Sequence, residues 1–212
     1  MRRPAQPGVA TAEKARQAGG RLPAVERRSA IVDAALRVFS TGSYSGATTA
    51  DLAREAGVSE PILYRHFASK RELYFACLDE AWHRLEAAID SSVGQLGPVE
   101  ACRRLAPSAL RELKVLLPQL WLQAVTEAGE DAEIRRYARH HMQRVHDYFA
   151  ELLQKAQEAG DIPPDRNVDA EAWIFIAGGL LTATADRLGG PLDAEQFAAI
   201  SNERRRWLYG SA

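Results

Sequence analysis

The sequence contains little from which a disulfide scaffold or a metal site could be built. Only two of its 212 residues are cysteine, Cys77 and Cys102, which is too few for a disulfide framework. The neighbouring histidines His140, His141 and His146 do not share one face of a helix, as ligands on a single helix must. We therefore predict no metal site and no cofactor.

Signatures of enzymes and of membrane proteins are also missing. The sequence has no glycine-rich phosphate loop and no nucleophile elbow, so we expect no catalytic residues and no enzyme. It has no run of about 18 or more uncharged apolar residues, so we predict no membrane span. Residues 1–24 lack the apolar segment of a signal peptide, and we expect a cytoplasmic protein.

A large net charge is absent too, but the charges are unevenly distributed. The formal net charge is −1: residues 1–80 contain 12 Lys+Arg and 9 Asp+Glu, or +3, whereas residues 81–212 contain 15 and 19, or −4. The basic excess in the first part favours contact with phosphates. Because this excess is small, binding to DNA would depend on local geometry more than on total charge.

The first 24 residues are rich in arginine, glycine, proline and alanine, and we predict that they form a flexible basic tail. Such a segment either stays solvated or reaches as an arm into a minor groove. Its only acid is Glu13, and its cations are Arg2, Arg3, Lys14, Arg16 and Arg21.

No segment alternates polar and apolar residues over the length of a β-strand, and we predict an all-α protein. We predict a three-helix N-terminal domain over residues 25–70 and a C-terminal helical bundle over residues 71–212. Apolar residues recur at helical spacing in the bundle, and glycine or proline separates its segments, one break falling at Pro118. The bundle helices are predicted over residues 70–91, 99–117, 119–128, 131–159, 169–188 and 193–208.

The stretch from Thr48 to Phe67 has the pattern of a helix-turn-helix, which places one helix in the DNA major groove. Thr48 and Asp51 have the spacing of a capping box at the start of a helix. Gly57 allows the left-handed turn that ends that helix, and Ser59 is a good N-cap for the second. Leu63 and Phe67 share one face of the second helix and should pack inward.

The other side of the second helix is left facing outward with side chains that water alone does not explain. A third capping pattern, Ser69 with Glu72, starts a long helix whose first residue is Lys70. A lysine in a first turn opposes the helix dipole unless it faces an anion such as a DNA phosphate. The outward set is Glu60, Pro61, Ile62, Tyr64 and His66.

As a block, these residues resemble the TetR family of bacterial repressors. The resemblance implies a homodimer that binds a palindromic operator in double-stranded DNA and a C-terminal part that binds a small-molecule inducer. It covers about the first third of the chain after the tail. The matching segments are residues 28–36, Thr48-Thr49, Leu52–Ser59, Leu63–Phe67 and Ser69–Leu73.

Carried over residue by residue, the resemblance implies two groups of DNA-binding residues, one for phosphates and one for bases. Thr48 belongs to the same site as the cap of the first helix. Many relatives have Lys-Gly-Thr where this chain has Glu60-Pro61-Ile62. Glu60 either accepts a hydrogen bond from cytosine N4 or faces away from the bases. The expected phosphate contacts are Thr49, Tyr64, His66 and Lys70, and the expected base contacts are Ser59, Glu60, Pro61 and Ile62.

The segment Ala172–Ala183 is apolar on all sides, so it is either a central core helix or faces a second copy of the chain. The resemblance implies dimerisation through the last two helices, about 169–188 and 193–208, as a four-helix bundle. Gly178, Gly179 and Ala183 would permit close helix approach.

An inducer pocket among the middle helices would be mostly apolar with a few polar groups. Each candidate residue could instead belong to the packed core, because aromatic residues at helical spacing usually do. The candidates are Trp82, Leu117, Trp121, Tyr137, His141, Val145, Tyr148 and Trp173.

These features predict a ligand-responsive transcriptional regulator, most simply a repressor released from DNA by a small, largely hydrophobic inducer. One alternative is a helical small-molecule-binding protein or enzyme whose helix-turn-helix is only structural. Against it, Tyr64, His66 and Lys70 have no evident packing role in the sequence pattern. A second alternative is an activator, or a nucleoid-type DNA binder without a ligand.

Overall fold

The computed structural model describes residues 23–97 and 111–210, and within these ranges the chain forms helices and no strand. The all-α prediction is therefore confirmed. Residues 1–22 of the predicted basic tail and part of the segment predicted at 99–117 lie outside the described residues. The helices are α1 (Ala24–Thr41), α2 (Thr49–Glu55), α3 (Glu60–His66), α4 (Lys70–Leu96), α5 (Arg111–Glu127), α6 (Ala132–Glu158), α7 (Val168–Arg187) and α8 (Ala194–Tyr209).

Helices α1 to α3 form the predicted three-helix unit. The Thr48–Asp51 capping box is present, and Gly57 adopts a φ of 65°, the left-handed turn expected between α2 and α3. Ser59 is the N-cap residue of α3, as predicted, although its side chain makes no capping hydrogen bond. The core of the unit is fully buried and includes Ile31, Phe39, Leu52, Leu63 and Phe67.

The predicted break at Pro118 is wrong, because α5 continues through it. Proline inside a helix removes one backbone hydrogen bond and crowds the preceding turn, so tertiary contacts must offset its cost. Pro118 is buried, and its Cγ would lie 3.1 Å from a Cβ placed on Gly179 of α7. Gly179 thus allows α7 to pass close to α5 at the proline.

Helix α4 joins the three-helix unit to the bundle. It extends beyond the predicted end at residue 91 to Leu96, where Gly97 follows with a φ of 78°. Leu73, Tyr74 and Leu78 are completely buried in a cluster that continues from α1 to α7. Because this cluster is shared by the two parts of the chain, a movement of the bundle core can reach α1 through packed side chains.

Helices α7 and α8 are held by a smaller cluster that contains Leu153, Ile162, Ala172 and Leu208. By length and composition alone, α7 is apolar enough to cross a membrane, and 28% of its 18-residue window is buried. Its uncharged stretch runs only from residue 172 to residue 185, and core helices of soluble proteins have the same composition.

Candidate nucleic-acid interface and inducer site

The exposed side of α3 brings together most of the predicted DNA-binding residues. Leu63 is completely buried and anchors the helix, while Tyr64 on the other side is 48% exposed. A short helix anchored by one buried leucine therefore leaves its remaining side chains exposed or half-buried. Ser59 and Pro61 are exposed, and Glu60, Ile62 and His66 are half-buried.

Thr48 acts through the backbone of α2. Its hydroxyl donates to Asp51 Oδ2 over 2.6 Å, and Thr48 Oγ1 accepts from the Asp51 N–H over 3.1 Å. Hydrogen bonds from Thr48, and then from Arg54, hold the pKa of the Asp51 carboxyl below its usual range. Thr48 thus orients the helix that begins with Thr49.

A hydrogen bond between two predicted DNA-binding residues was not expected from the sequence. The Thr49 hydroxyl donates to Glu60 Oε2 over 2.7 Å, which joins the first residue of α2 to the first residue of α3. Because the bond crosses the turn of the helix-turn-helix, no helical spacing indicates it. Both side chains are half-buried.

Lys70 has a packing role, contrary to the sequence interpretation. Its Nζ donates to the backbone carbonyls of Tyr44, over 2.9 Å, and Ala47, over 3.1 Å, and lies 4.3 Å from the centre of the Tyr44 ring. Burial lowers the pKa of the Lys70 ammonium. Lys70 therefore fixes the loop that precedes Thr48.

Two arginines beside the interface were missed. The Arg28 guanidinium lies over the Phe67 ring, 4.6 Å from its centre, which places a cation from α1 at the end of α3. Arg65, in the last turn of α3, is exposed. The adjacent arginines at 27 and 28 were the available signal, because they stand at the start of α1 beside the basic tail.

Most of the predicted inducer-binding residues lie in the main core between α4, α5 and α6. Trp82, Leu117, Trp121 and Val145 are buried there, and Tyr137 and Tyr148 pack against them. Trp173 belongs to a different place: it is 39% exposed and stacks on His146 with ring centres 4.4 Å apart. The structure thus groups seven of the eight candidates, with His141 between Trp121 and Tyr137.

His141 is the polar centre of this group. Its Nδ1 accepts from the Trp121 indole N–H over 3.2 Å, so its Nε2 carries the hydrogen and donates to the Leu78 carbonyl over 3.0 Å. Burial, followed by the charge of Arg144, lowers the pKa of His141 to about 4. A neutral imidazole therefore links α4, α5 and α6.

The phenolic hydroxyls of the group are also engaged. Tyr137 donates to Asp79 Oδ2 over 2.6 Å, and its ring stacks on Phe75 with centres 3.8 Å apart. Tyr148 donates to Asp90 Oδ1 over 2.6 Å. In this conformation the candidate residues contact one another, so a ligand would enter by displacing packed rings.

A groove of about 350 Å³ lies where α1, α4 and α5 meet. The sequence did not predict this groove or its polar walls. The groove is lined by Asp33, Leu36, Arg37, Ser40, Arg84 and Leu116.

Within residues 23–97 and 111–210, no group of three or more His, Cys, Asp or Glu side chains could hold a metal ion.

Large apolar side chains are exposed on α7 and α8 and directly after the end of α7. Single exposed apolar residues are normal, whereas several on neighbouring helices indicate an interaction surface. One charged pair, Glu171 with Arg204, is mostly buried and joins α7 to α8. The exposed apolar residues are Trp173, Ile174, Leu181, Leu188, Ile200 and Trp207.

Comparison with known proteins gives a consistent family. The family model described as bacterial regulatory proteins, tetR family, matches residues 31–77. The chain is 32% identical over 197 residues to the HTH-type transcriptional regulator TtgR of Pseudomonas putida, covering 87% of this chain and 81% of that protein.

Solved structures share the fold. A TetR-family transcriptional regulator from Agrobacterium tumefaciens superposes with a TM-score of 0.70 at 19% identity, covering 87% of this chain and 98% of that one. AibR in complex with isovaleryl coenzyme A and operator DNA gives a TM-score of 0.57 at 23% identity, covering 86% and 98%.

Proposed function

Because this chain belongs to the TetR family of bacterial regulatory proteins, we propose that it is a homodimeric repressor that a small, largely hydrophobic inducer releases from a palindromic operator. Residues 25–70 bind DNA, and residues 71–212 bind the inducer and dimerise. The protein has no catalytic activity in this proposal, and it acts in the cytoplasm, where its operator lies.

The exposed side of α3 is the observation that carries the proposal. In a helix-turn-helix the second helix enters the major groove, and here that helix presents Tyr64 and His66 beside Pro61. Ser59, Glu60, Pro61 and Ile62 would contact base edges, and Thr49, Tyr64 and His66 would contact phosphates. Lys70 uses two of its three donor hydrogens on carbonyls, and the third remains for a phosphate.

The apolar surface of α7 and α8 supports the dimer. Ile174 and Leu181 stand on one side of α7, two turns apart, and Ile200 on α8 adds to the exposed apolar area. An ordinary core helix would bury such residues within its own chain. A second copy covers them in a two-fold arrangement, which a palindromic operator requires.

The group around His141 supports an inducer site. Its walls are apolar and aromatic, with a few polar atoms, as small-molecule sites usually are. AibR has been crystallised with an acyl-coenzyme A and operator DNA, so a protein of this fold accommodates an apolar acyl chain. Inducer binding would favour a conformation in which the two α3 helices no longer span successive major grooves, about 34–36 Å apart.

Selection of DNA from a randomised duplex pool tests the proposal directly. The full-length protein should enrich an inverted repeat, bind it as a dimer in analytical ultracentrifugation, and lose affinity for it when a matching hydrophobic ligand is added. If no sequence is enriched at low salt, the regulator proposal is wrong. If ligands bind but never change the affinity for the enriched duplex, the inducer part is wrong.

A further inference from the structure

The hydrogen bond between Thr49 and Glu60 occupies the only donor that the Thr49 side chain could offer to DNA. Thr49 begins α2, Glu60 begins α3, and the hydroxyl donates to Glu60 Oε2 over 2.7 Å. A threonine hydroxyl has one donor hydrogen. While Glu60 accepts that hydrogen, the Thr49 hydroxyl cannot donate to a phosphate oxygen.

Among the residues that the structure describes, no cation neutralises the charge of Glu60. Arg54 of α2 pairs with Asp51, and Arg37 pairs with Glu55. Within the described ranges, Glu60 has no ion pair and no hydrogen bond other than that from Thr49. A half-buried, unpaired carboxylate therefore stands at the surface that approaches a phosphate backbone, where it is repelled.

We propose that Glu60 withholds Thr49 from phosphates until an operator base supplies Glu60 with another donor, and thereby suppresses binding to other DNA. The inference rests on the proposed operator binding. In the major groove the amino group of cytosine N4 is the donor that suits a carboxylate. On an operator with a cytosine at this position, the Glu60 side chain turns toward the base, its Oε2 moves out of reach of Thr49, and the Thr49 hydroxyl donates to a phosphate oxygen.

On DNA without that cytosine the exchange does not occur. Glu60 keeps the Thr49 hydrogen, one phosphate contact is missing, and the carboxylate repels the backbone. One residue thus couples a base contact to a phosphate contact. Ordinarily the two kinds of contact are separate, because phosphate contacts contain no sequence information.

A double-mutant cycle on two duplexes tests the coupling. The proteins are the full-length wild type, Thr49→Val, Glu60→Ala and the double variant, and fluorescence anisotropy measures binding to the enriched duplex and to an unrelated duplex. Glu60→Ala should raise affinity for the unrelated duplex by about tenfold, the size of one charge-assisted hydrogen bond. Thr49→Val alone should leave that affinity unchanged, because Thr49 is already withheld.

In the double variant most of the gain should disappear, because no hydroxyl is left to release. On the enriched duplex, Thr49→Val should weaken binding, and Glu60→Ala should reduce the preference for enriched over unrelated DNA. Glu60→Gln separates the two effects, since it removes the charge but keeps an oxygen that accepts from Thr49. Glu26→Ala is the charge control: it removes one negative charge from the same three-helix unit, and Glu26 is exposed and bonds neither Thr49 nor Glu60.

Additive effects of Thr49→Val and Glu60→Ala on the unrelated duplex would overturn the coupling, as would an equal gain from Glu26→Ala. Thermal unfolding of each variant shows whether the fold is kept. If the wild type enriches no sequence, the proposed function and this inference fall together. If an inverted repeat is enriched and the cycle is additive, only this inference is wrong.

Discussion

The DNA-binding unit and the bundle hold their polar side chains in different ways. In the unit the helix starts are held locally: Thr48 caps α2 through Asp51, and Ser69 accepts from the N–H of Glu72 at the start of α4. In the bundle the contacts are distant in sequence, as in the hydrogen bond from Trp121 to His141. The starts of α2 and α4 are therefore determined by short segments, and the inducer region by how three helices pack.

The largest effect is expected from the bundle surface. Leu181 lies on the apolar face of α7 and is 41% exposed. Leu181→Glu places a charge on that face and should produce a folded monomer. Because a monomer binds only one half-site, affinity for the operator should fall by about 100-fold or more. Sedimentation velocity and fluorescence anisotropy measure the two quantities.

Val125→Glu is the matched control, since Val125 is also apolar and exposed but lies on α5. It should leave the dimer and the operator affinity intact. A dimeric Leu181→Glu protein would show that the last two helices are not the contact, and the bundle would then contribute only a ligand site.

The next effect concerns the buried imidazole. The pKa of His141 is lowered to about 4, so the unfolded chain binds a proton at higher pH than the folded one does. The free energy of unfolding has its full value above about pH 6.5, the ordinary pKa of histidine. It decreases by about 3 kcal/mol as the pH falls to about 4. Urea unfolding at a series of pH values measures it.

His141→Gln should flatten this pH dependence, whereas His140→Gln, at the exposed neighbouring position, should leave it unchanged. An equally steep loss of stability in His141→Gln would assign the pH dependence to another group. The prediction also distinguishes the two regions. If His141→Gln removes the pH dependence of the free energy of unfolding, that dependence comes from one long-range contact in the bundle.

A smaller effect compares the two N-caps of the helix-turn-helix. Thr48→Ala removes a side chain that caps α2 and should cost about 1 kcal/mol of unfolding free energy. Ser59→Ala removes a side chain that makes no capping bond, so its cost should stay within about 0.5 kcal/mol. Chemical denaturation measures both, and equal costs would contradict the assignment of the two caps.

The smallest expected effect is on DNA affinity. Tyr64→Phe removes one exposed hydroxyl and should weaken binding to enriched and unrelated duplexes alike, by roughly threefold. Anisotropy titrations measure the ratio for each duplex. A loss confined to one base position would make Tyr64 a base contact instead of a phosphate contact.

The outcome of sequence analysis follows the same division. The helix-turn-helix was predictable because Thr48, Asp51 and Gly57 each act within a few residues of chain. Ser59 was placed correctly at the N-cap, but a preference for N-cap positions does not determine whether the side chain bonds there. Pro118 was misjudged because the compensation for it, close packing at Gly179, comes from a helix far along the chain.

The candidate site shows the same limit. Tyr64 could be placed at the surface from helical spacing alone, and it is exposed. The partners of Lys70 are carbonyls of Tyr44 and Ala47, in a loop more than twenty residues earlier, so no local pattern indicates them. The bond from Thr49 to Glu60 depends on the angle between two helices, which the spacing of residues does not specify.

One buried amide joins the two regions. Gln123 stands two residues after Trp121 on α5, is 4% exposed, and donates from Nε2 to the Phe39 carbonyl near the end of α1 over 2.7 Å. An inducer that displaces Trp121 would also move this amide. Thermodynamic linkage makes such coupling reciprocal: the factor by which the inducer lowers the operator affinity equals the factor by which the operator lowers the inducer affinity. The DNA is then a regulator of ligand binding, and the concentration of operator sites helps to determine how much inducer the protein holds.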